Sequence, residues 1–231
     1  MKIFMGLRPL FLFCLVLVTV PSWAQEIITA DRFLERVSER YGGIKDYEAR
    51  IAIRSGNSIM SGQISFLNPF FMRIDFTSPA DQVICFNGQL LTVYLPGYRA
   101  VLNQEVSARS SGLGGASLAS AEGLLLFRRN YVPSFVSGPG SEPLDEGSRE
   151  MVVKLRLSRR IVSEGFREII LSIDPQSLLI RRIEGRSIAE AMVRFDFSSI
   201  NTNVGIPEGR FIYDAPASAN MYNNFLFRDT D

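Results

Sequence analysis

Hydrophobic and polar residues alternate along most of this chain, and the period of the alternation identifies the element each segment forms. Met72, Ile74 and Phe76 alternate with Arg73 and Asp75. One face of that segment is apolar and the other charged, the pattern of a half-buried antiparallel strand. Ser78-Pro79 ends it, because proline brings no N–H to a ladder. Gln82 to Phe86 then runs into Asn87-Gly88, a strong hairpin signal, and Leu90 to Tyr94 stops at Leu95-Pro96-Gly97. The stretch from Asn68 to Pro96 is therefore predicted as a three-strand meander.

The flanking segments extend the same sheet. Tyr47, Ala49, Ile51 and Ile53 alternate with Glu48, Arg50 and Arg54, and after Gly56-Asn57 a second run covers Met60 to Leu67. Tyr98 to Val106 supplies another strand. Ahead of them, Phe33, Val37 and Tyr41 recur every four residues beside Leu34, with Thr29 to cap the start and Gly42-Gly43 to end it. That spacing predicts an amphipathic helix lying on an apolar surface. After Val106 the pattern changes: Ser107 to Ser120 is glycine- and serine-rich and reads as a loop. Ser120 can cap a helix over Ala121 to Asn130, whose Leu124 to Phe127 run is continuously apolar. A second loop, Pro133 to Arg149, follows.

Strands resume at Met151 to Ser158, Phe166 to Ile173, Leu178 to Gly185 and Ala191 to Ser198, with a short one at Phe211 to Tyr213 before an aromatic tail at Tyr222, Phe225 and Phe227. The chain thus reads as mainly β with helices (α+β), ten or eleven strands in one curved, mostly antiparallel sheet. Neither an internal repeat nor a linker divides it. The first residues stand apart. Lys2 and Arg8 precede an apolar run from Leu10 to Val20 and the small-residue site Pro21-Ser22-Trp23-Ala24. This is the pattern of a secretory signal peptide over residues 1–24, leaving one domain over 25–231 for export across the inner membrane.

Composition removes much chemistry. The chain has 25 basic and 24 acidic residues, so no global field draws nucleic acid. It contains no histidine, which removes Ser–His and Cys–His pairs and the commonest metal ligand. Cys85 is the only cysteine outside the leader and lies in an apolar strand, as a buried and inert thiol does. Arg73/Asp75 and Arg194/Asp196 are expected to form cross-strand charge pairs on a solvent face. Gly112-Leu113-Gly114-Gly115 lacks the spacing and the strand–helix setting of a phosphate loop. A non-enzymatic protein without cofactor or metal is expected. Apolar side chains nevertheless line one face of nearly every strand. Either the helices fill that interior, or they leave a cavity for a ligand; periodicity places the same residues inward in both cases.

The order of features in the meander resembles the LolA family of periplasmic carriers of outer-membrane lipoproteins. Pro69, the strand Phe71 to Phe76, Pro79, Asn87-Gly88 and Tyr94-Leu95-Pro96 follow one another at intervals of ten, nine and eight residues. Ile173-Asp174, Phe195 to Phe197 and a Phe-x-Tyr strand before Pro216 continue the likeness, which spans the chain after the leader. Asn68 stands where many carriers have an arginine. The resemblance implies an unclosed antiparallel barrel of about eleven strands with a helical lid. It implies an acyl-chain cavity walled by Met72, Ile74, Phe76, Leu91, Val93, Ile169, Leu171, Val193 and Phe195, with Phe33, Val37, Leu125 and Phe127 on the lid. It further implies a monomer that takes acylated lipoproteins or other lipids from an inner-membrane donor complex, with an outer-membrane acceptor as a further partner. A carrier or sensor of another lipid (phospholipid or glycolipid), or a protein-binding regulatory module, are the alternatives on the same scaffold.

Overall fold

A computed structural model describes residues 28–106, 119–161 and 165–225; the expected leader, the glycine-rich stretch of the first loop and Phe227 of the aromatic tail lie outside them. The first helix, α1 (Ala30–Gly42), forms where the four-residue apolar spacing predicts it. Thr29 caps it by accepting from the Arg32 N–H at 3.2 Å. Five strands follow without interruption by a helix: β1 (Asp46–Ser55), β2 (Ser58–Leu67), β3 (Phe71–Ser78), β4 (Val83–Phe86) and β5 (Leu90–Leu95). β6 (Ala100–Glu105) completes this half. Asn87 closes the β4–β5 hairpin by accepting from Gln89 and Leu90 N–H, and Gly88 takes φ +90°, a conformation that suits glycine.

The second half begins with α2 (Ala121–Asn130), capped by Ser120. Then come β7 (Tyr131–Phe135), the two-residue β8 (Glu142–Pro143), β9 (Met151–Arg159), β10 (Phe166–Ile173), β11 (Ile180–Ser187), β12 (Met192–Thr202) and β13 (Asn220–Asn223). All strands join one curved, unclosed sheet in the order β13-β6-β5-β4-β3-β2-β1-β12-β11-β10-β9-β7, with β8 beside β9. Every pairing is antiparallel except β13 on β6. The thirteen strands among the described residues exceed the expected eleven because β7, β8 and β13 carry too little alternation to be read. Phe211 to Tyr213 is not a strand: Glu208–Phe211 is a turn of 3-10 helix.

Both faces of the sheet are covered. On the inner face α1 and α2 seat Phe33, Leu34, Val37, Leu124 and Phe127 against strands from both halves. On the outer face, residues 206–213 lie over β3 and β4, where Phe211 packs with Val83, Cys85 and Phe71. The Cys85 thiol donates to the Phe211 carbonyl, and burial pushes its pKa up to about 11, so this cysteine is the buried group expected. Part of the second loop covers the other half of that face, where Arg182 of β11 donates to the Leu144 carbonyl at 3.2 Å.

These two straps correct the reading of the charged residues. Arg73 and Asp75 do pair, at 2.9 Å, and Arg194 and Asp196 at 2.8 Å. Both pairs run along one strand, Asp196 pairs in addition across strands with its register partner Arg182, and the face they share is covered. Residues two apart on a strand share a face, so the pairing is local, and each pair then recruits a strap. Arg210 binds Asp75, and Arg182, only 6% exposed, binds both Asp196 at 2.6 Å and Asp145 at 2.7 Å. The Arg182 guanidinium holds the Asp145 carboxyl below its usual range. Its contribution is therefore present above the ordinary carboxylate range and is lost as pH falls through the lowered pKa. The hydrogen-exchange protection factor of the Leu144 amide, bonded to the Glu150 carbonyl at 2.8 Å, is expected to fall on acidification before those of the core amides of β10 do.

Candidate functional site

The inner face is assembled by register. Tyr47, Phe66, Met72, Phe86 and Leu91 form one row across β1, β2, β3, β4 and β5. Ala49, Ile64, Ile74, Ile84, Val93 and Leu102 form the next. In the other half, Ile53, Phe195, Ile183, Leu171, Leu155 and Phe135 form a row from β1 to β7. Val193, Gly185, Ile169 and Leu157 run beside it. All nine residues expected on the wall thus share one continuous apolar face. Ile84 and Leu102 belong to it too. They escape a reading by alternation because Val83 to Phe86 is apolar at every position, and only pairing with Ile74 and Val93 assigns the face.

The two halves of this face differ in cover. Under the helices, Leu155, Leu157, Leu171, Ile169 and Ile183 are at most 1% exposed. Toward β6, Met72, Ile84, Val93 and Leu102 are only half-buried. The helices therefore close one side of the trough and leave an apolar strip along the other. Between α1 and the sheet, the gap bounded by Tyr41, Ile44, Tyr47, Leu179, Ile180 and Phe197 has no room for even a water molecule. Ligand pockets for small organic molecules usually run from about 300 to 1,000 Å³. The gap under α1 holds no acyl chain as it stands.

α1 is fastened mainly at its C-terminal end. The Tyr41 hydroxyl accepts from the Ile180 N–H at 3.1 Å, and Arg40 donates to the Ser177 carbonyl at 3.3 Å. Just beyond, Lys45 N–H donates to Asn203 at 2.8 Å, and Asp46 accepts from Val204 and Gly205 N–H. Asn68 donates from its side-chain amide to the Ile44 carbonyl at 3.3 Å, so the residue that departs from the carrier pattern ties this same end down. Farther along the helix the polar tie to α2 is an exposed pair, Glu35 with Arg128 at 3.1 Å, so apolar seating does most of the holding. Burial pushes the Tyr41 phenol up to about 12, keeping it neutral. Tyr41→Phe would strand the buried Ile180 N–H and is expected to cost about 1–3 kcal/mol, read by denaturant melts.

The expected lid residues divide. Phe33 packs toward Phe135 with ring centroids 6.1 Å apart, Val37 is fully buried, and Phe127 meets Tyr131 edge-on at 5.8 Å. Leu125 is 56% exposed. Two residues apart on a helix is about 200° of rotation, so Leu125 and Phe127 cannot share a face. Among the described residues no group of three or more His, Cys, Asp or Glu converges as a metal site. Nor is any helix among them long and apolar enough to cross a membrane.

No family model matches the chain, and no curated protein does. Solved structures do. An uncharacterised conserved protein from Thermus thermophilus is similar at 15% identity, with 84% of this chain and 98% of that one covered and a TM-score of 0.52. The LolA superfamily protein NE2245 from Nitrosomonas europaea is similar at 16% identity over 80% of this chain and 98% of that one, with a TM-score of 0.42. The Mycobacterium tuberculosis lipoprotein LppX is similar at 13% identity over 76% and 97%, with a TM-score of 0.48. The likeness to LolA-superfamily proteins expected from the sequence is thus found among solved structures, and the likeness to the Thermus protein is one of fold alone.

Proposed function

We propose that this chain is a non-enzymatic periplasmic carrier that shields lipoprotein acyl chains in transit from the inner to the outer membrane. On this reading residues 1–24 export a single domain over 25–231. An inner-membrane donor complex loads it, and an outer-membrane acceptor relieves it of its cargo. The observation that carries the reading is the unequal cover of one apolar face: Met72, Ile84, Val93 and Leu102 lie half-buried beside helices that pack apolar side chains onto the sheet. An acyl chain laid on that strip gains roughly 0.8 kcal/mol for each methylene buried, and the trough deepens as α1 lifts from its weakly fastened end. Incubating the protein with membranes that hold a triacylated lipoprotein is expected to yield a soluble one-to-one complex. Failure to release any lipoprotein or lipid would overturn the reading.

One observation favours a second reading. The space beneath α1 is filled, as in a protein-binding module whose interior is ordinary core. Such a module would take no acyl chain under any condition.

A further inference from the structure

The two straps over the outer face are anchored by different means. Residues 206–213 are seated by apolar packing: Ile206 and Phe211 are buried, and the Phe71 and Phe211 rings lie 5.5 Å apart. The other strap is the hairpin between β8 and β9, closed by the Leu144 N–H donating to the Glu150 carbonyl at 2.8 Å. None of residues 142–150 is buried. Charge holds this strap instead. Glu142 pairs with Lys154 at 3.4 Å, and Glu150 binds Arg181. Asp145 accepts from both terminal nitrogens of Arg182, at 2.8 and 2.7 Å, and lies 3.8 Å from Arg194. A cover without an apolar anchor is the more easily lifted of the two.

What lies beneath it is polar. Register places Lys154, Ser172, Arg182 and Asp196 side by side across β9, β10, β11 and β12 on the outer face. To reach Arg182 from the edge of β9, the hairpin passes over β10, where Ser172 sits. Ser172 is 0% exposed, and its hydroxyl has no hydrogen-bond partner among the described residues. A buried hydroxyl left unmet destabilises the fold, so the hairpin covers this group without giving it the acceptor it lacks.

With the hairpin lifted, Lys154, Arg182 and Arg194 face Asp196 and, one row on, Glu184. Cations then outnumber carboxylates, and Arg182 presents to solvent the fork that now holds Asp145. A planar carboxylate matches that fork through two parallel hydrogen bonds. The hairpin thus displays what the row accepts. It offers an extended segment with two acids three residues apart, Glu142 on Lys154 and Asp145 on Arg182, and the Leu144 carbonyl between them. A segment of the same pattern with one further acceptor over β10 would also satisfy Ser172.

We propose that this row is a binding site for an acidic peptide segment of a partner protein, and that the β8–β9 hairpin is its built-in competitor. The row lies on the face opposite the apolar strip, so the site stands whether or not the interior takes an acyl chain. Its test is fluorescence anisotropy with a labelled synthetic peptide of the hairpin's own sequence, Ser141 to Glu150, titrated with the purified protein and with Asp145→Ala. The Asp145 side chain is 56% exposed, so its truncation leaves the core intact. Asp145→Ala is expected to bind the peptide roughly tenfold more tightly than the parent, because its own hairpin no longer competes for Arg182. The same peptide carrying Glu142→Gln and Asp145→Asn is expected to bind at least tenfold more weakly, and added salt to weaken the acidic peptide alone. Adding Ser172→Ala to Asp145→Ala is expected to weaken peptide binding about threefold while the melting midpoint holds or rises, since the unmet hydroxyl is gone. A serine with a purely structural role would lower the midpoint and leave binding unchanged. No binding to either protein, equal binding by the parent and Asp145→Ala, or equal binding of the acidic and amide peptides would overturn the proposal.

Discussion

Gly62→Ala is expected to destabilise the protein by about 3 kcal/mol or more, a fall of roughly 6–12 °C in the melting midpoint. Gly62 lies on β2 where its pairing with β3 shifts register between Ser61 and Gly62. A Cβ placed there would sit 2.2 Å from the Asp75 carbonyl oxygen and 2.8 Å from Phe76 Cα. Both neighbours are backbone of the adjacent strand, so no rotamer change relieves the clash. The strand must move, and with it Phe76 and the Asp75 carboxylate that Arg73 and Arg210 hold. A thermal melt of the variant reads the effect directly. The small gain that alanine brings by restricting the unfolded chain, about 0.4–1 kcal/mol, does not offset it.

Leu34→Ala is the second large effect and the more informative one. Leu34 is fully buried between α1 and the sheet, and truncating such a side chain costs about 2–5 kcal/mol. Part of that loss falls on the seating of α1 rather than on the sheet, because α1 is held at its far end by Tyr41, Arg40 and the bonds around Asp46. If acyl chains enter by displacing α1, weaker seating raises the population of the open form. Affinity for a fluorescent fatty-acyl probe should then rise about tenfold for each ~1.4 kcal/mol of seating lost. A filled, closed module would lose stability and gain no affinity. The variant thus separates the two readings in one titration.

The reach of the sequence can be judged residue by residue. Alternation suffices for β1, β2, β3, β9, β10, β11 and β12, because each has one face in the core and one outside it. It suffices for α1, whose four-residue spacing and Thr29 cap agree. It fails at β7, where Pro133 interrupts the pattern, and at β13, four exposed residues whose only reason to be extended is the edge of β6. It also fails for the outer face. Arg73 and Asp75 look solvent-facing along β3, and nothing local announces that residues 206–213, far along the chain, fold over them. The same limit applies to the inner face. Local pattern assigns Met72, Ile74 and Phe76 to it, but Ile84 and Leu102 need the partner strands. Whether that face bounds a cavity depends on how deeply α1 sits, a property of packing that periodicity does not carry.

Asn68, the departure from the carrier pattern that the sequence resembles, makes two bonds to the segment after α1. Its side chain donates to the Ile44 carbonyl and its backbone N–H to the Lys45 carbonyl at 2.8 Å, so it fixes the segment after α1 to the start of β3. Asn68 thereby helps to fasten the end of the first helix to the sheet.

The most direct test of the carrier account is mass spectrometry of the lipid extracted from the native protein purified without detergent. The account predicts acyl-bearing material, lipoprotein or lipid, in near-stoichiometric amount, and its loss when Val93→Asp and Leu102→Asp place charges on the half-buried strip. Protein that is free of acyl chains, and that stays free after exposure to lipoprotein-bearing membranes, would contradict it.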